Sequence, residues 1–220
     1  MFAVDTQTNE IFLYDDIGPA WMGMIDSASV IAGLKSMEGK RILLRINSPG
    51  GSVDEGAAIF NAIMRHSGGV DVAIDGIAAS IAGYIAMAGK KVTIAANAKL
   101  MIHDPWTIAM GNSTDLRKTA DVLDTYAASM LPAYVAKSGK SEEEIKQIMR
   151  DETWYGAVDA VAEGFADEVA NATSASMQVA EGRFAKTPSA LLKKVEAGTR
   201  TEAKPRLWDM RVKLANLTRK

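Results

Sequence analysis

Short apolar runs alternate with stretches of helical periodicity along most of the chain, a pattern that predicts an α/β fold. EIFLYDDIG (10–18) and RILLRINS (41–48) read as strands, and SASVIAGLKSM (27–37) between them reads as a helix. The turn PGG (49–51) leads into VDEGAAIFNAIMRH (53–66), where Val53, Ala57, Phe60 and Met64 share one helical face. VDVAIDG (70–76) predicts a strand, GIAASIAGYIAMAG (76–89) a helix, KVTIAA (91–96) a strand, and KLMIHDP (99–105) a short strand ending at Pro105. Residues 112–148 predict two helices, interrupted near Leu131-Pro132 and near Lys137-Ser138-Gly139-Lys140. Ser141-Glu142-Glu143-Glu144 has capping-box spacing and opens the second of them. No internal repeat is visible.

Composition narrows the class. With 220 residues and 48% hydrophobic side chains, the chain can bury a full core, most simply as one domain plus extensions. It has no cysteine, so disulfide frameworks and thiolate chemistry are excluded and a cytoplasmic address is the default. The longest uncharged run, the 14 residues between Asp75 and Lys90, is too short and too rich in Ala and Gly for a bilayer span. MFAVDTQTNE lacks the basic start of a secretory signal, so neither secretion nor membrane insertion is expected.

Charge divides the chain. Residues 181–220 carry 11 Lys/Arg against 4 Asp/Glu, a net +7, leaving 14 against 23, or −9, for residues 1–180. The expected organisation is therefore an acidic body (1–170), an Ala/Ser/Thr-rich linker (171–190) and a basic extension (191–220) with short amphipathic segments near 191–195 and 207–217. A solvated extension is the simpler reading of that tail. Nucleic acid is not expected as a partner, since residues 181–220 offer only Phe184 and Trp208 for stacking.

Candidate chemistry centres on one hydroxyl. Ser80 lies inside the small, apolar stretch 76–89, among neighbours too small to shield it. Its ordinary reading is a helix N-cap. A serine nucleophile needs a general base, and the chain has two histidines. His66 ends a helix in RHSGG and reads as a C-terminal residue compatible with the helix dipole, whereas His103 ends a short apolar strand and can project into a cleft. In PGGS (49–52), two glycines let the backbone approach a ligand, so the N–H of Gly51 and that of Ile81 could form a two-donor oxyanion pocket. The same glycines would also suit a plain strand-to-helix turn.

INSPGGSV (46–53), GIAASIAG (76–83), MIHDP (101–105) and GAVDAVAEGFADEV (156–169) resemble, in order and near spacing, the four motif blocks of the Clp protease proteolytic subunit family (ClpP), self-compartmentalising serine peptidases. The resemblance covers residues 10–169. It implies a crotonase-like α/β spiral of ββα units, Ser80 as nucleophile, His103 as general base, and Gly51 with Ile81 as oxyanion donors. It also implies a protruding handle helix between Trp106 and Ile148, through which heptameric rings stack in pairs. Anchoring on GAVDAVAEGFAD puts Glu152 where the family has its triad aspartate, with Asp151 the alternative acid; Asp104 is a poorer candidate because strand neighbours face opposite ways.

Two departures bear on partners. The loop AGKKVT (88–93) is shorter than the family's, and the chain has no long segment ahead of its first strand, which argues against docking an AAA+ unfoldase. The EIFLYDDIG start, the ETW variant and the basic tail resemble the ClpP-related proteases of phages and prophages, proposed to process capsid or scaffold protein, which would place the chain in a bacterial cytoplasm or a prohead. The expected activity is endopeptidase acyl transfer on a polypeptide substrate, with no cofactor or metal, since neither H-E-x-x-H nor G-x-x-x-x-G-K-[ST] occurs. Alternatives are an inactive capsid-assembly scaffold on the same fold and a crotonase-type acyl-CoA enzyme.

Overall fold

Val70, Val72 and Ile74 are all buried and alternate with more exposed neighbours, the period of two that makes this segment a strand. The computed structural model describes residues 1–173, 175, 179, 180 and 182–192. In chain order the elements are β1 (Phe2–Asp5), β2 (Glu10–Leu13), α1 (Ser27–Ser36), β3 (Ile42–Ser48), α2 (Val53–Arg65), β4 (Val70–Ala79) and α3 (Ile81–Ala86). They continue with β5 (Val92–Ala95), β6 (Lys99–Ile102), α4 (Ser113–Ser138), α5 (Glu142–Arg150), β7 (Thr153–Gly156), α6 (Ala157–Ala162) and β8 (Glu168–Ala170). The strands form one sheet in the order β1-β2-β3-β4-β5-β8, with β6 paired to β4 and β7 to β6. All pairings from β2 to β8 along that path are parallel, as is β4 with β6, so the chain is an α/β protein.

β4 serves two neighbours in succession. Its first half pairs with β5 at Val72–Ile74 and its second half with β6 at Ile77–Ala79. Between the halves the register against β3 shifts, and the buried Asn47 side chain accepts the Ile77 N–H that the irregular ladder leaves over. The strand thus runs on to Ala79, where the sequence predicts helix from Gly76. Small residues carry little periodicity, and Ile77, Ala78 and Ala79 are fully buried strand residues.

Three other expectations change. α4 runs unbroken through Pro132. The carbonyl that Pro132 leaves without a donor belongs to Ala128, on the exposed face, where water can take it. The N-terminal half of α4 stands off the body, and only Met130, Leu131 and Tyr134 are buried. The sequence pattern assigns no element to residues 2–5 or 153–170, where β1, β7, α6 and β8 form. Finally, residues 171–190 are not simply a linker: Val179 and Phe184 are buried against Ile77, Ala79 and Met101. Isolated apolar residues among Ala and Ser give no period, which is why composition hides them. The tail segments expected beyond residue 192, Trp208 included, lie outside the described residues. Among the described residues no helix is long and apolar enough to cross a membrane.

The buried stripe of α2 is Gly56, Ile59, Ala62 and Ile63, while Met64 is 53% exposed. The stripe is rotated from the expected face because Gly56 lets α2 seat directly on α3: a Cβ there would lie 2.0 Å from Ile81 Cγ1. Gly56→Ala therefore opposes two effects. Helix propensity favours alanine by about 1 kcal/mol, but Ile81 is β-branched and fully packed, so relieving the clash costs about 2–3 kcal/mol. The clash should win. A fall in melting temperature of about 2–8 °C is expected by calorimetry, and a rise would show that α3 yields freely.

Candidate active site

Register brings the site together. Ala79 pairs with Met101, and the Ser80 N–H donates to Met101 O at 3.1 Å, so the residue after β4 lies alongside the end of β6. His103 follows β6 by one residue. Its Nε2 lies 2.7 Å from Ser80 Oγ. Ser80 itself has φ 58°, ψ −129°, the conformation of the first central residue of a type II′ turn, where glycine is usual. Its hydroxyl makes no capping bond to α3, so the N-cap reading does not hold. The arrangement is a strained strand-to-helix turn that lifts a hydroxyl out of the chain, the geometry of a nucleophile elbow.

PGG passes beside this turn. An ideal Cβ on Gly50 (φ +89°) would lie 2.6 Å from Ala79 O and 2.8 Å from Ser80 Cβ. The Gly50 carbonyl accepts the Ile17 N–H at 3.0 Å, and the Ser52 N–H donates to Ile17 O at 2.8 Å. In a trans peptide the N–H points opposite to the C=O, so the Gly51 N–H faces away from Ile17. Gly51 and Ser80 line one cleft of about 260 Å³, together with Met24, Pro105, Trp106 and Arg183 among others. Among the described residues neither the Gly51 N–H nor the Ile81 N–H, at the first position of α3, has a hydrogen-bond partner. Two unspent donors thus belong to the glycine turn and to the residue after Ser80, the number an oxyanion pocket requires.

The two candidate acids diverge. Asp151 caps the C-terminus of α5, is exposed, and accepts from Gln147 Nε2 at 2.9 Å. Glu152 follows with φ 48°, which turns the chain sharply into β7. Its carboxylate accepts the Ala185 N–H at 2.8 Å, the Lys186 N–H, and Trp154 Nε1 at 3.4 Å. Phe184, immediately before those amides, stands edge-on to the His103 ring at 5.4 Å and to Trp154 at 5.7 Å. The segment that holds Glu152 therefore also packs on the histidine. Asp104 donates its N–H to Met149 O and lines a different cleft beside Arg150, and burial pushes its carboxyl above the usual range. His66 is buried elsewhere, its Nε2 2.8 Å from Lys40 O.

Sequence reasoning missed Arg183 and Asp16. Both are buried, and Arg183 Nη1 meets Asp16 Oδ1 at 2.5 Å on the wall of the Ser80 cleft. An arginine inside a basic, Ala/Ser-rich stretch gives no signal that it turns inward.

Residues 6–173 match the family model described as Clp protease. Three curated relatives, each named "ATP-dependent Clp protease proteolytic subunit 1", are similar to this chain. The protein of Protochlamydia amoebophila is 32% identical over 138 residues, 60% of this chain and 66% of its own length. Those of Chlamydia muridarum and Chlamydia trachomatis are each 33% identical over 137 residues, 60% of this chain and 70% of their own length. The chain therefore spans about two thirds of the length of the curated relatives it matches. With a match across most of its residues and a serine–histidine contact on the elbow that ends β4, the chain belongs to the Clp protease family of serine-type peptidases.

Proposed function

We propose that the chain is an endopeptidase in which Ser80 is the nucleophile, His103 the general base, Gly51 and Ile81 the oxyanion donors, and Glu152 the acid. The observation that carries this reading is the 2.7 Å contact of His103 Nε2 with Ser80 Oγ on a strained elbow. As Oγ attacks a peptide carbonyl carbon, its proton passes to Nε2 and the oxygen becomes an oxyanion held by the two N–H groups. The C–N bond then breaks, and His103 returns the proton to the leaving amine. Water repeats the sequence on the acyl-enzyme, releasing the carboxylic acid and restoring the serine. Glu152 is favoured over Asp151 because it is partly buried beside the Trp154–Phe184 packing on His103, whereas Asp151 is exposed.

The chain acts in a homo-oligomeric ring, two heptamers stacked through α4. That α4 leaves Leu116 and Val122 about half exposed supports this assembly. The substrate is polypeptide. A role in maturing phage or prophage capsid or scaffold protein rests on the resemblance of the EIFLYDDIG start, the ETW segment and the basic tail.

Intact-mass analysis after fluorophosphonate treatment tests the chemistry. One adduct on Ser80 is expected, absent from Ser80→Ala and His103→Ala and formed about 10–1000 times more slowly in Glu152→Gln. No adduct on a correctly assembled oligomer would overturn the reading.

A further inference from the structure

We propose that Arg183 is a positioning residue for the oxyanion donor at Gly51, a role that rests on the peptidase reading above. Arg183 Nη2 donates to the Gly50 carbonyl at 3.2 Å while Nη1 is held by Asp16 at 2.5 Å, and both side chains are almost wholly buried. The Gly50 carbonyl belongs to the same planar peptide as the Gly51 N–H. A cation on the oxygen withdraws electrons through that amide, so the N–H on its other end becomes a stronger donor. The contact also fixes the plane. Gly50 and Gly51 have φ of +89° and +153°, backbone regions that only glycine enters readily and from which the peptide could rotate. With Ile17 N–H and Arg183 both on the carbonyl, rotation would break two hydrogen bonds, one of them charge-assisted.

The guanidinium fork suits this task. One arm is anchored on a carboxylate, which leaves a second arm at a set angle for a carbonyl, and lysine has no such geometry. Asp16 comes from the segment that also supplies Ile17, so the clamp ties the C-terminal segment, the turn after β2 and the glycine turn into one wall of the cleft.

The test uses the full-length oligomer and the fluorogenic peptide that wild type hydrolyses best from a positional library. Arg183→Met alone removes the guanidinium from beside the buried Asp16 carboxylate, so Arg183→Met with Asp16→Asn is compared with it, and Arg183→Lys supplies the conservative exchange. Expected for the double variant is a fall in kcat of about 10–100-fold with KM changed by less than about threefold, since only transition-state stabilisation is lost. A peptide aldehyde, whose hemiacetal oxygen enters the pocket, should lose affinity by the same factor as kcat/KM. A reduced-amide peptide of the same sequence has no such oxygen and should keep its affinity. Arg183→Lys should recover part of the loss. Unchanged kcat and aldehyde affinity in a folded double variant would overturn the assignment, as would a loss carried by KM and by the reduced-amide peptide. Wild type that neither labels at Ser80 nor hydrolyses any peptide would overturn the peptidase reading and this assignment with it.

Discussion

Ser80→Ala should lower kcat on a peptide substrate by about 10⁴-fold or more, because in the proposed mechanism the attack that His103 assists has no other nucleophile to use. Ser80→Gly should be equally inactive yet more stable than Ser80→Ala. The backbone at this residue is held at φ 58°, ψ −129°, a region glycine occupies without strain and alanine does not. Holding a side chain there costs about 1–3 kcal/mol, against about 0.5–1 kcal/mol of extra backbone entropy for glycine. Both variants lose the same hydrogen bond to His103, so that contribution cancels in the comparison. The glycine variant should melt about 2–4 °C above the alanine variant. Residual hydrolysis in both would place the nucleophile elsewhere, and an alanine variant melting at or above the glycine variant would mean that the elbow is not strained.

The elbow also shows what sequence reveals and what it hides. The Ser80–His103 contact is legible because a serine nucleophile would need a histidine base and the chain offers only two histidines, one of them at a strand end. The parallel strands β3 and β4 are legible because branched apolar residues repeat at the right period. The last three residues of β4 are not. Ile77, Ala78 and Ala79 suit helix as well as strand, and pairing with β6 decides between them. That pairing sets the Ser80 hydroxyl beside His103, so the least legible stretch is the one the proposed chemistry depends on. Residues 179–192 were hidden for another reason. Val179, Arg183 and Phe184 each make a decisive contact from a stretch with no period, and only the folded chain shows that they meet the cleft and its neighbours. The twist at Glu152 is likewise silent in sequence, since a glutamate at positive φ is imposed by what surrounds it.

Gly51→Ala should damage both activity and stability. A Cβ at this position would lie 1.9 Å from Ile17 O and 2.9 Å from the Ile17 carbonyl carbon, both backbone atoms that cannot rotate away. Either the turn after β2 shifts or the Gly50–Gly51 peptide does, and the second would swing the Gly51 N–H, the proposed oxyanion donor, out of the cleft. A loss of about 10²–10³-fold in kcat is expected, the effect of removing one such donor, together with about 2–4 kcal/mol of stability for a clash against fixed backbone. Gly39→Ala is the control that separates this from backbone strain alone. Gly39 has φ +76°, yet nothing lies within 4 Å of its added Cβ. Alanine there should cost about 1 kcal/mol and leave kcat unchanged. Thermal melts, oligomer size and peptide hydrolysis on the two variants decide the matter. Equal stability losses would mean that φ and not the contact with Ile17 constrains Gly51, and full activity in Gly51→Ala would remove its N–H from the mechanism.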